Sequence, residues 1–390
     1  MLFSGAASAA TINVNNSSAN SIGNAISKAQ AGDTLNLSAG TYKEKSLHID
    51  KNLTITGPVT TWKPTVIIDV NKKGRVFQVN SGVQLNLKYI LIENGYTTHN
   101  GGGVLNMGIL NVNICKFYNN TADMNGGGIA NIGGKVKIIT SYVVLNKALQ
   151  NGGGIYNLKG DLTIFDSYIE SNKAYRGGGI CNYGNLKLNG CYFITNKATY
   201  GGAIDNHSNF NVTDCGLSSN SANLGKEIYN TGGNTSNRIV NYNRIDDDKG
   251  HPICCESGSV NAEYNYWGND YSPKNKVIGN VDYTPWIKDV PGEPYFVSSS
   301  PANGATNVAA SKTITVTYNE YVTKAAFFRF VLKNSDGAII PITKYIKGKV
   351  VYINPVNNLK KSRYTLIIHS ESVMDMVGNY CKYKEIKFSV

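Results

Sequence analysis

The chain has no long apolar run, little charge and little proline. No stretch approaches the about 18 consecutive apolar residues of a membrane-spanning helix, so the sequence predicts no transmembrane segment. Only 10 of the 390 residues are proline, which excludes a collagen-like chain or a proline-rich linker. Charged residues account for 16% of the chain, against roughly a quarter in average proteins. Because 41% of the residues are still hydrophobic, an intrinsically disordered chain is excluded as well.

Two further absences concern metals and nucleic acids. No two of the seven cysteines have Cys-x-x-Cys spacing, so we expect no zinc site. We also expect no other metal and no cofactor. No run of five or more Lys or Arg occurs, which argues against a nucleic-acid-binding tail. The chain is nevertheless basic: it has 38 Lys and Arg against 26 Asp and Glu, and residues 291–390 carry 13 and 6 of these. Such a surface attracts anionic partners, acidic polysaccharides among them.

What the chain has in abundance is glycine, 41 residues, and much of it belongs to a repeat. Quartets of the form Gly-Gly-(Gly or Ala)-aliphatic begin 24 to 26 residues apart, and a degenerate copy follows at Gly225. The quartets begin at Gly101, Gly126, Gly152, Gly177 and Gly201. An asparagine follows each aliphatic residue by two positions, and we expect Asn80 to extend this series one unit upstream. The series is Asn80, Asn106, Asn131, Asn157, Asn182, Asn206 and Asn230.

Between the quartets, apolar residues alternate with polar ones, as at Leu186 and Leu188. A period of two predicts strands, and each repeat has room for three short ones. A single repeat cannot bury its apolar side, whereas stacked repeats can. The sequence therefore predicts an all-β fold, a right-handed parallel β-helix with about 25 residues per turn. Each turn should lie about 4.8 Å above the last, so that the asparagines form a buried ladder.

The regions that flank the repeats predict a cap, a second domain and export. Residues 21–30 have helical spacing and are expected to cover the open end of the coil. After Pro291 the repeat stops, and about seven short alternating segments predict an Ig-like β-sandwich. The first residues end in an Ala-x-Ala-like sequence typical of signal-peptide cleavage. The predicted organisation is a signal-peptide remnant (1–10), a β-helix with its N-terminal cap (11–290), a linker (291–298) and the β-sandwich (299–390).

The repeats resemble those of known surface proteins. The Gly-Gly-x-Ile quartets, with the segments Phe117–Asn120 and Phe193–Asn196, are similar to the GGxI and FxxN repeats of polymorphic outer-membrane proteins and of adhesin-like proteins of methanogenic archaea. Residues 22–57 resemble the N-terminal cap of pectin-lyase-like right-handed β-helices. Residues 299–390 resemble the bacterial Ig-like domains of S-layer and adhesin stalks. The resemblance implies surface display and adhesion, and it specifies no ligand.

One outward column of side chains is predicted to bind a glycan or a partner protein. Tyr142, Tyr168 and Tyr192 occupy equivalent positions on three turns, so their rings should form a flat strip on which sugar rings pack. Lys116 stands one turn earlier in this column, and Lys137 and Lys187 stand in the outward column of the preceding strand. The alternative is that the tyrosines only stack on one another, because sheet surfaces favour aromatic residues in general.

Catalysis has weaker support in the sequence. A glycoside hydrolase needs two carboxylates across the scissile bond, and the Asp pair, Gly-His-Gly and Arg-x-Lys of polygalacturonase-like enzymes are not matched here. The acidic candidates are Asp166, Asp214, Asp246, Asp247 and Asp248, with His251 close behind. The first two stand two turns apart, about 9.6 Å at about 4.8 Å per turn, which is too far to share one calcium ion. A solvated loop is the alternative interpretation of residues 246–251.

We therefore expect a secreted, extracellular adhesin-like protein rather than an enzyme. Its partner would be a cell-wall or other extracellular polysaccharide, or a surface protein of a neighbouring cell, held non-covalently. Two alternatives stay open: a polysaccharide lyase or glycoside hydrolase of the pectin-lyase-like fold, and a structural S-layer component. A disulfide between Cys191 and Cys215, which stand on adjacent turns, also stays open.

Overall fold

A computed structural model of the protein describes residues 9–59, 64–232, 238–246, 250–268, 271–288, 293–325, 327–375 and 378–390. The chain divides into two compact units. The solenoid unit comprises Met1–Glu263 and Ser272–Thr284, and the Ig-like unit comprises Tyr264–Tyr271 and Pro285–Val390. Residues 1–8 of the expected signal-peptide remnant lie outside the described residues. Among the described residues, no helix has the length and apolar character to cross a membrane.

The solenoid unit consists almost entirely of short strands. It begins with β1 (Thr11–Val14), α1 (Ser21–Lys28), β2 (Thr34–Leu37), β3 (Gly40–Tyr42), β4 (Leu47–Ile49), β5 (Leu53–Thr56), β6 (Val66–Asp69), β7 (Phe77–Val79), β8 (Gln84–Lys88), β9 (Ile90–Glu93) and β10 (Tyr96–Thr97). The glycine repeats contain β11 (Val104–Asn106), β12 (Ile109–Asn113), β13 (Lys116–Tyr118), β14 (Thr121–Ala122), β15 (Ile129–Ile132), β16 (Lys135–Ile139), β17 (Tyr142–Val144), β18 (Lys147–Ala148), β19 (Ile155–Phe165), β20 (Tyr168–Glu170), β21 (Ile180–Asn189), β22 (Tyr192–Ile194), β23 (Ile204–Asn206), β24 (Phe210–Thr213) and β25 (Gly216–Ser218). The last turns hold β26 (Ile228–Asn230), β27 (Arg238–Asn241), β28 (Arg244–Asp246), β29 (Ile253–Asn261), a 3₁₀ helix (Pro273–Lys276) and β30 (Val277–Asp282).

These strands form a parallel β-solenoid of about ten turns, which confirms the predicted fold class. Within the described residues, one sheet stacks nine strands one turn apart in the order β3, β6, β9, β13, β17, β20, β22, β25, β28. Phe117 pairs with Val143, and Val143 pairs with Ile169, all in parallel register. These side chains are fully buried, because stacking covers the apolar side that one turn alone would leave exposed.

The predicted N-terminal helix is present as α1, which ends at Lys28 rather than at residue 30. Its buried side chains are Ile22, Ala25 and Ile26. Spacings of three and four residues place them on one helix face, and through this face α1 packs against β1, β2 and β4.

The asparagine ladder is confirmed for six of its seven predicted members. The side-chain amide of each donates to the Oδ1 of the next, at 2.7 Å from Asn106 to Asn131 and at 2.8 Å from Asn131 to Asn157. The ladder continues through Asn182, Asn206 and Asn230, and all six side chains are 0% exposed.

The assignment of Asn80 to this ladder was wrong. Strand β7 pairs with β11 so that Val79, not Asn80, stands opposite Asn106. The side chain of Val79 is fully buried and carries no amide, and Oδ1 of Asn106 accordingly has no hydrogen-bond partner among the described residues. The series ends at Asn106 because the upstream turn fills the inward position with an aliphatic side chain instead of an amide.

A second inward column contains serines and cysteines. The backbone N–H of Ser141 donates to Oγ of Ser167 at 3.0 Å, and the N–H of Cys191 donates to Sγ of Cys215 at 3.4 Å. All seven cysteines of the chain are buried and free, so the structure contains no Cys191–Cys215 disulfide. In this column a thiol therefore replaces a hydroxyl as a small buried hydrogen-bonding group.

The Ig-like unit is built from antiparallel sheets, in agreement with the predicted sandwich. Its strands are β31 (Phe296–Ser300), β32 (Ile314–Tyr318), β33 (Val322–Lys324), β34 (Phe330–Asn334), β35 (Ile339–Ile340), β36 (Ile342–Lys347), β37 (Val350–Pro355), β38 (Arg363–Ile368), β39 (Val373–Asp375) and β40 (Lys384–Ser389). One sheet has the order β31-β32-β37-β36 and another β35-β34-β38-β40. Alternate residues of both sheets, such as Val316, Leu332, Val351 and Leu366, meet in a single apolar core.

Candidate functional site

The predicted tyrosine column exists, on strands β17, β20 and β22. Tyr142 pairs with Tyr168, and Tyr168 with Tyr192, in consecutive turns. Their ring centroids are 5.1 and 5.0 Å apart, with interplanar angles of 9° and 16°. All three side chains are half-buried, because each ring is covered in part by its neighbours along the solenoid axis.

This stacking changes what the column can offer to a ligand. The ring faces are turned toward one another, and a Cβ added at Gly216 would lie 2.8 Å from Cδ1 of Tyr192, so that end is covered too. The column therefore presents ring edges and hydroxyls rather than the flat strip that the sequence predicted. Burial raises the pKa of Tyr168, assisted by the nearby Tyr142 and Glu170. The ordinary pKa of tyrosine, about 10, already keeps the phenol protonated at neutral pH, so this hydroxyl is a hydrogen-bond donor there.

The predicted lysines lie on two different sheets. Lys116 pairs with Tyr142 in the tyrosine column, and its Nζ lies 4.8 Å from the ring centroid of Tyr118. Lys137 and Lys187 lie in the predicted column of the preceding strands, with Thr163 between them. Only Lys116 thus shares a sheet with the tyrosines, and we define Lys116, Tyr142, Tyr168 and Tyr192 as the tyrosine ridge.

The acidic candidates do not form a group in the described residues. Asp166 and Asp214 occupy bends with φ of 47° and 53°, two turns apart with Gly190 in the equivalent position between them. Oδ2 of Asp214 accepts a hydrogen bond from Nδ2 of Asn189 at 2.7 Å. Asp246 forms an ion pair with Arg244 on the same strand, and His251 is exposed. Asp247 and Asp248 lie outside the described residues.

The sequence reasoning missed a compact polar cluster around Asp205. On β23, Asp205 lies between Ile204 and Asn206, which both point into the core, so its side chain points to the opposite face. That side chain is nevertheless 0% exposed. Nε of Arg176 donates to Oδ2 at 2.7 Å and Nη2 donates to Oδ1 at 3.2 Å. The guanidinium thus makes a bidentate ion pair with both carboxylate oxygens.

Three further groups complete the cluster. Nε2 of His207 lies 2.9 Å from Oδ2 of Asp205, and Sγ of Cys181 lies 3.5 Å from the same oxygen. Nδ1 of His207 lies 2.6 Å from Oγ1 of Thr231 on the next turn. The imidazole also stacks on Tyr183, with centroids 4.0 Å apart and an interplanar angle of 7°. We name Arg176, Cys181, Asp205, His207 and Thr231 the Asp205 cluster.

The electrostatics of this cluster follow from burial and from Asp205. Burial raises the pKa of the Cys181 thiol well above its usual value, and the Asp205 carboxylate raises it further. At Arg176 burial lowers the pKa, but the hydrogen bonds and the charge of Asp205 outweigh burial, so the pKa is raised. The cluster therefore contains an ion pair beside a neutral thiol. The guanidinium is also held over the rings of Tyr200 and Tyr229, at 4.8 and 5.5 Å.

One signal in the sequence could have revealed this cluster. The position after each repeat aliphatic forms a column of Leu105, Ala130, Tyr156, Cys181, Asp205 and Tyr229. Asp205 is the one charged member of this set. A buried charge needs a partner, and Arg176 comes from the bend before the preceding quartet, a location that spacing along the chain does not show.

Comparisons with known proteins bear on both units. A family model described as a bacterial Ig-like domain matches residues 291–390. CopC from Methylosinus trichosporium OB3b is 15% identical, with 25% of this chain and 92% of that chain covered and a TM-score of 0.22. A pectate lyase is 12% identical, with 74% and 80% covered and a TM-score of 0.42. An alginate lyase of family PL6 is 13% identical at a TM-score of 0.33, and 73% of this chain matches only 39% of that enzyme. No curated protein matches the chain in sequence.

Proposed function

We propose that the protein is an exported surface protein that binds an extended glycan along the tyrosine ridge, and that it acts as an adhesin rather than as an enzyme. The observation that carries this proposal is the parallel stack of Tyr142, Tyr168 and Tyr192 on consecutive turns. The match of residues 291–390 to a bacterial Ig-like domain supports display at a cell surface, because residues 299–390 resemble the Ig-like domains found in the stalks of adhesins and S-layer proteins.

A linear polymer suits this ridge for a geometric reason. Equivalent hydroxyls recur once per turn, about 4.8 Å apart, and each phenol can donate one hydrogen bond and accept others. A chain of sugars that lies along the solenoid axis therefore meets the same group at each step. Lys116 adds a positive charge at one end of the column, which favours a glycan with carboxylate or sulfate groups.

The test removes the hydroxyls and keeps the rings. In the full chain, Tyr142, Tyr168 and Tyr192 are all replaced by Phe, so that stacking and burial persist. A matched control replaces Tyr345 and Tyr352 by Phe, because these residues also stack as a parallel pair (4.9 Å, 3°) but belong to the Ig-like unit. Retention on a panel of insoluble wall polysaccharides is measured together with released oligosaccharide.

We expect the triple variant to lose at least about tenfold in affinity for the retaining polymer, because each lost hydrogen bond contributes about 0.5–1.5 kcal/mol. The control variant should bind like the parent. Equal retention by all three proteins would refute the ridge as the binding site. Release of oligosaccharide by the parent would replace the adhesin with a polysaccharide-degrading enzyme, and ordered self-assembly without any glycan would favour a structural envelope component.

A further inference from the structure

We propose that Cys181, Asp205 and His207 form a binding site for a divalent metal ion of the zinc class, such as Zn²⁺ or Co²⁺. One ligand atom from each residue can be chosen so that all lie within 4.8 Å of one another. Cys181 lies on β21, Asp205 lies on β23 and His207 follows β23 directly. These strands belong to a different sheet from the nine-stranded sheet that carries the tyrosine ridge. The site is independent of glycan binding. It departs from the expectation of no metal because Cys181 comes from one turn and Asp205 and His207 come from the next, rather than from a Cys-x-x-Cys segment.

Two of the three spacings between the ligand atoms are close to those of tetrahedral coordination. Bonds of about 2.3 Å to sulfur and about 2.0 Å to nitrogen or oxygen place sulfur and oxygen about 3.5 Å apart, and nitrogen and oxygen about 3.3 Å apart. Sγ of Cys181 and Oδ2 of Asp205 are 3.5 Å apart, and Nε2 of His207 and Oδ2 are 2.9 Å apart. The imidazole needs to withdraw by only a few tenths of an ångström when an ion replaces the hydrogen bond.

The proposed ligands have hydrogen-bond partners of the kind that orient ligands in metal sites. A ligating imidazole donates its second N–H to a neighbouring acceptor, and Nδ1 of His207 lies 2.6 Å from Oγ1 of Thr231. A ligating carboxylate is itself hydrogen-bonded, and Oδ1 of Asp205 accepts from Nη2 of Arg176 at 3.2 Å. Oδ2 faces both Cys181 and His207, and it also accepts from Nε of Arg176 at 2.7 Å. A carboxylate oxygen has two lone pairs, so Oδ2 can keep this hydrogen bond and bind the ion with the other pair.

Charge balance is compatible with an ion beside Arg176. Binding exchanges the thiol proton for the metal, so the S–H bond breaks, an S–metal bond forms and one proton leaves to solvent. The imidazole proton moves from Nε2 to Nδ1, and no group is oxidised or reduced. The thiolate and the Asp205 carboxylate then face the ion and the guanidinium together. Arg176 keeps its place because Tyr200 and Tyr229 lie against it.

An entry route exists on the histidine side. The Asp205 side chain is 0% exposed and Cys181 is fully buried, but the side chain of His207 is 16% exposed. Three protein ligands leave the fourth tetrahedral position to water or to another small donor, as in zinc sites with an open position. The ion would therefore approach past the imidazole.

Cobalt is the most informative probe because a cobalt–thiolate bond absorbs in the near ultraviolet. The full chain is treated with a chelator, freed of it and titrated with Co²⁺ alone in weak buffer at pH 7. We expect one ion per chain, a thiolate-to-cobalt absorption band and release of about one proton per ion, as ligand deprotonation requires. Cys181→Ser should abolish the band. The matched control is Cys191→Ser, which replaces another fully buried free cysteine outside the cluster, and it should keep the band.

Two more variants test the site without disturbing its most buried members. His207→Gln removes the partly exposed ligand and should also abolish the band. Thr231→Val removes only the acceptor behind His207 and should weaken Co²⁺ binding by about 10- to 100-fold. Absence of the band in the folded parent, or a band that survives both Cys181→Ser and His207→Gln, would overturn the site whatever the glycan experiments show.

Discussion

At the scale of single residues, buried amides explain how so polar a chain forms a core. Asn157 accepts from Asn131, donates to Asn182 at 2.7 Å and donates to the carbonyl of Gly160 at 3.0 Å. The same side-chain amide thus connects three turns, and it also hydrogen-bonds to the bend that follows Asn157. A buried polar group that is fully hydrogen-bonded costs little, whereas one that loses its partners costs the full desolvation penalty.

We predict that Asn157→Ala lowers the free energy of unfolding by about 2–4 kcal/mol, because it removes one buried hydrogen bond each from the amide of Asn131, from Oδ1 of Asn182 and from the carbonyl of Gly160. Urea denaturation of the full chain, followed by circular dichroism, measures this. The control is Asn185→Ala. This exposed side chain donates to Oδ1 of Asp161 at 2.9 Å and accepts a long bond from Nδ2 of Asn209 at 3.5 Å, and its loss should change stability by less than about 0.5 kcal/mol. Equal effects of the two changes would contradict a structural role for the ladder.

At the scale of elements, the glycine quartets are set by how closely the turns approach. A Cβ added at Gly153 would lie 2.5 Å from the carbonyl oxygen of Gly178 on the next turn and 2.6 Å from the backbone of Lys173. Such contacts are with backbone atoms, which cannot move aside while the strands stay paired. The middle glycine is therefore required by close approach rather than by its own dihedral angles.

We predict that Gly153→Ala destabilises the protein by at least about 3 kcal/mol, at the upper end of overpacking effects. Gly133→Ala is the matched change. Gly133 has φ of 68° but nothing within 4 Å of an added Cβ, so only the backbone penalty of about 1–2 kcal/mol applies. Thermal unfolding of both variants distinguishes the two causes, and a Gly133 variant as unstable as the Gly153 variant would show that dihedral strain, not contact between turns, dominates.

The register of these elements could be predicted because the repeat fixes it. Residues 24 to 26 apart fall opposite each other, so columns such as Tyr142, Tyr168 and Tyr192 follow from counting alone. The prediction for Asn80 was wrong because the loop before β11 changes length, which places Val79 opposite Asn106 in the ladder. The stacked orientation of the tyrosine rings and the Asp205–Arg176 pair could not be predicted, because both depend on side-chain packing between turns and not on the period of the repeat.

At the scale of the whole molecule, the distribution of positive charge decides what the surface attracts. Lys147, Lys173 and Lys197 pair in successive turns and are exposed, so like charges recur about every 4.8 Å. At about 0.1 M salt the screening length is about 10 Å, so all three act on the same segment of a polyanion. Residues 291–390 carry a further excess of basic residues, 13 against 6 acidic ones.

We predict that retention of the full chain on an acidic polysaccharide falls steeply when the salt concentration rises from about 50 mM to about 500 mM. Across that range the screening length shortens from about 14 Å to about 4 Å, so the attraction between separated charges is lost. Changing Lys147, Lys173 and Lys197 to Gln should remove more of the low-salt retention than changing Lys347, Lys360 and Lys361, which are also exposed. Both triple variants lose the same net charge, so a difference between them reports the stacked arrangement. Equal losses would mean that net charge alone governs attraction, and retention that does not respond to salt would mean that neutral hydrogen bonds, such as those of the tyrosine ridge, hold the polymer instead.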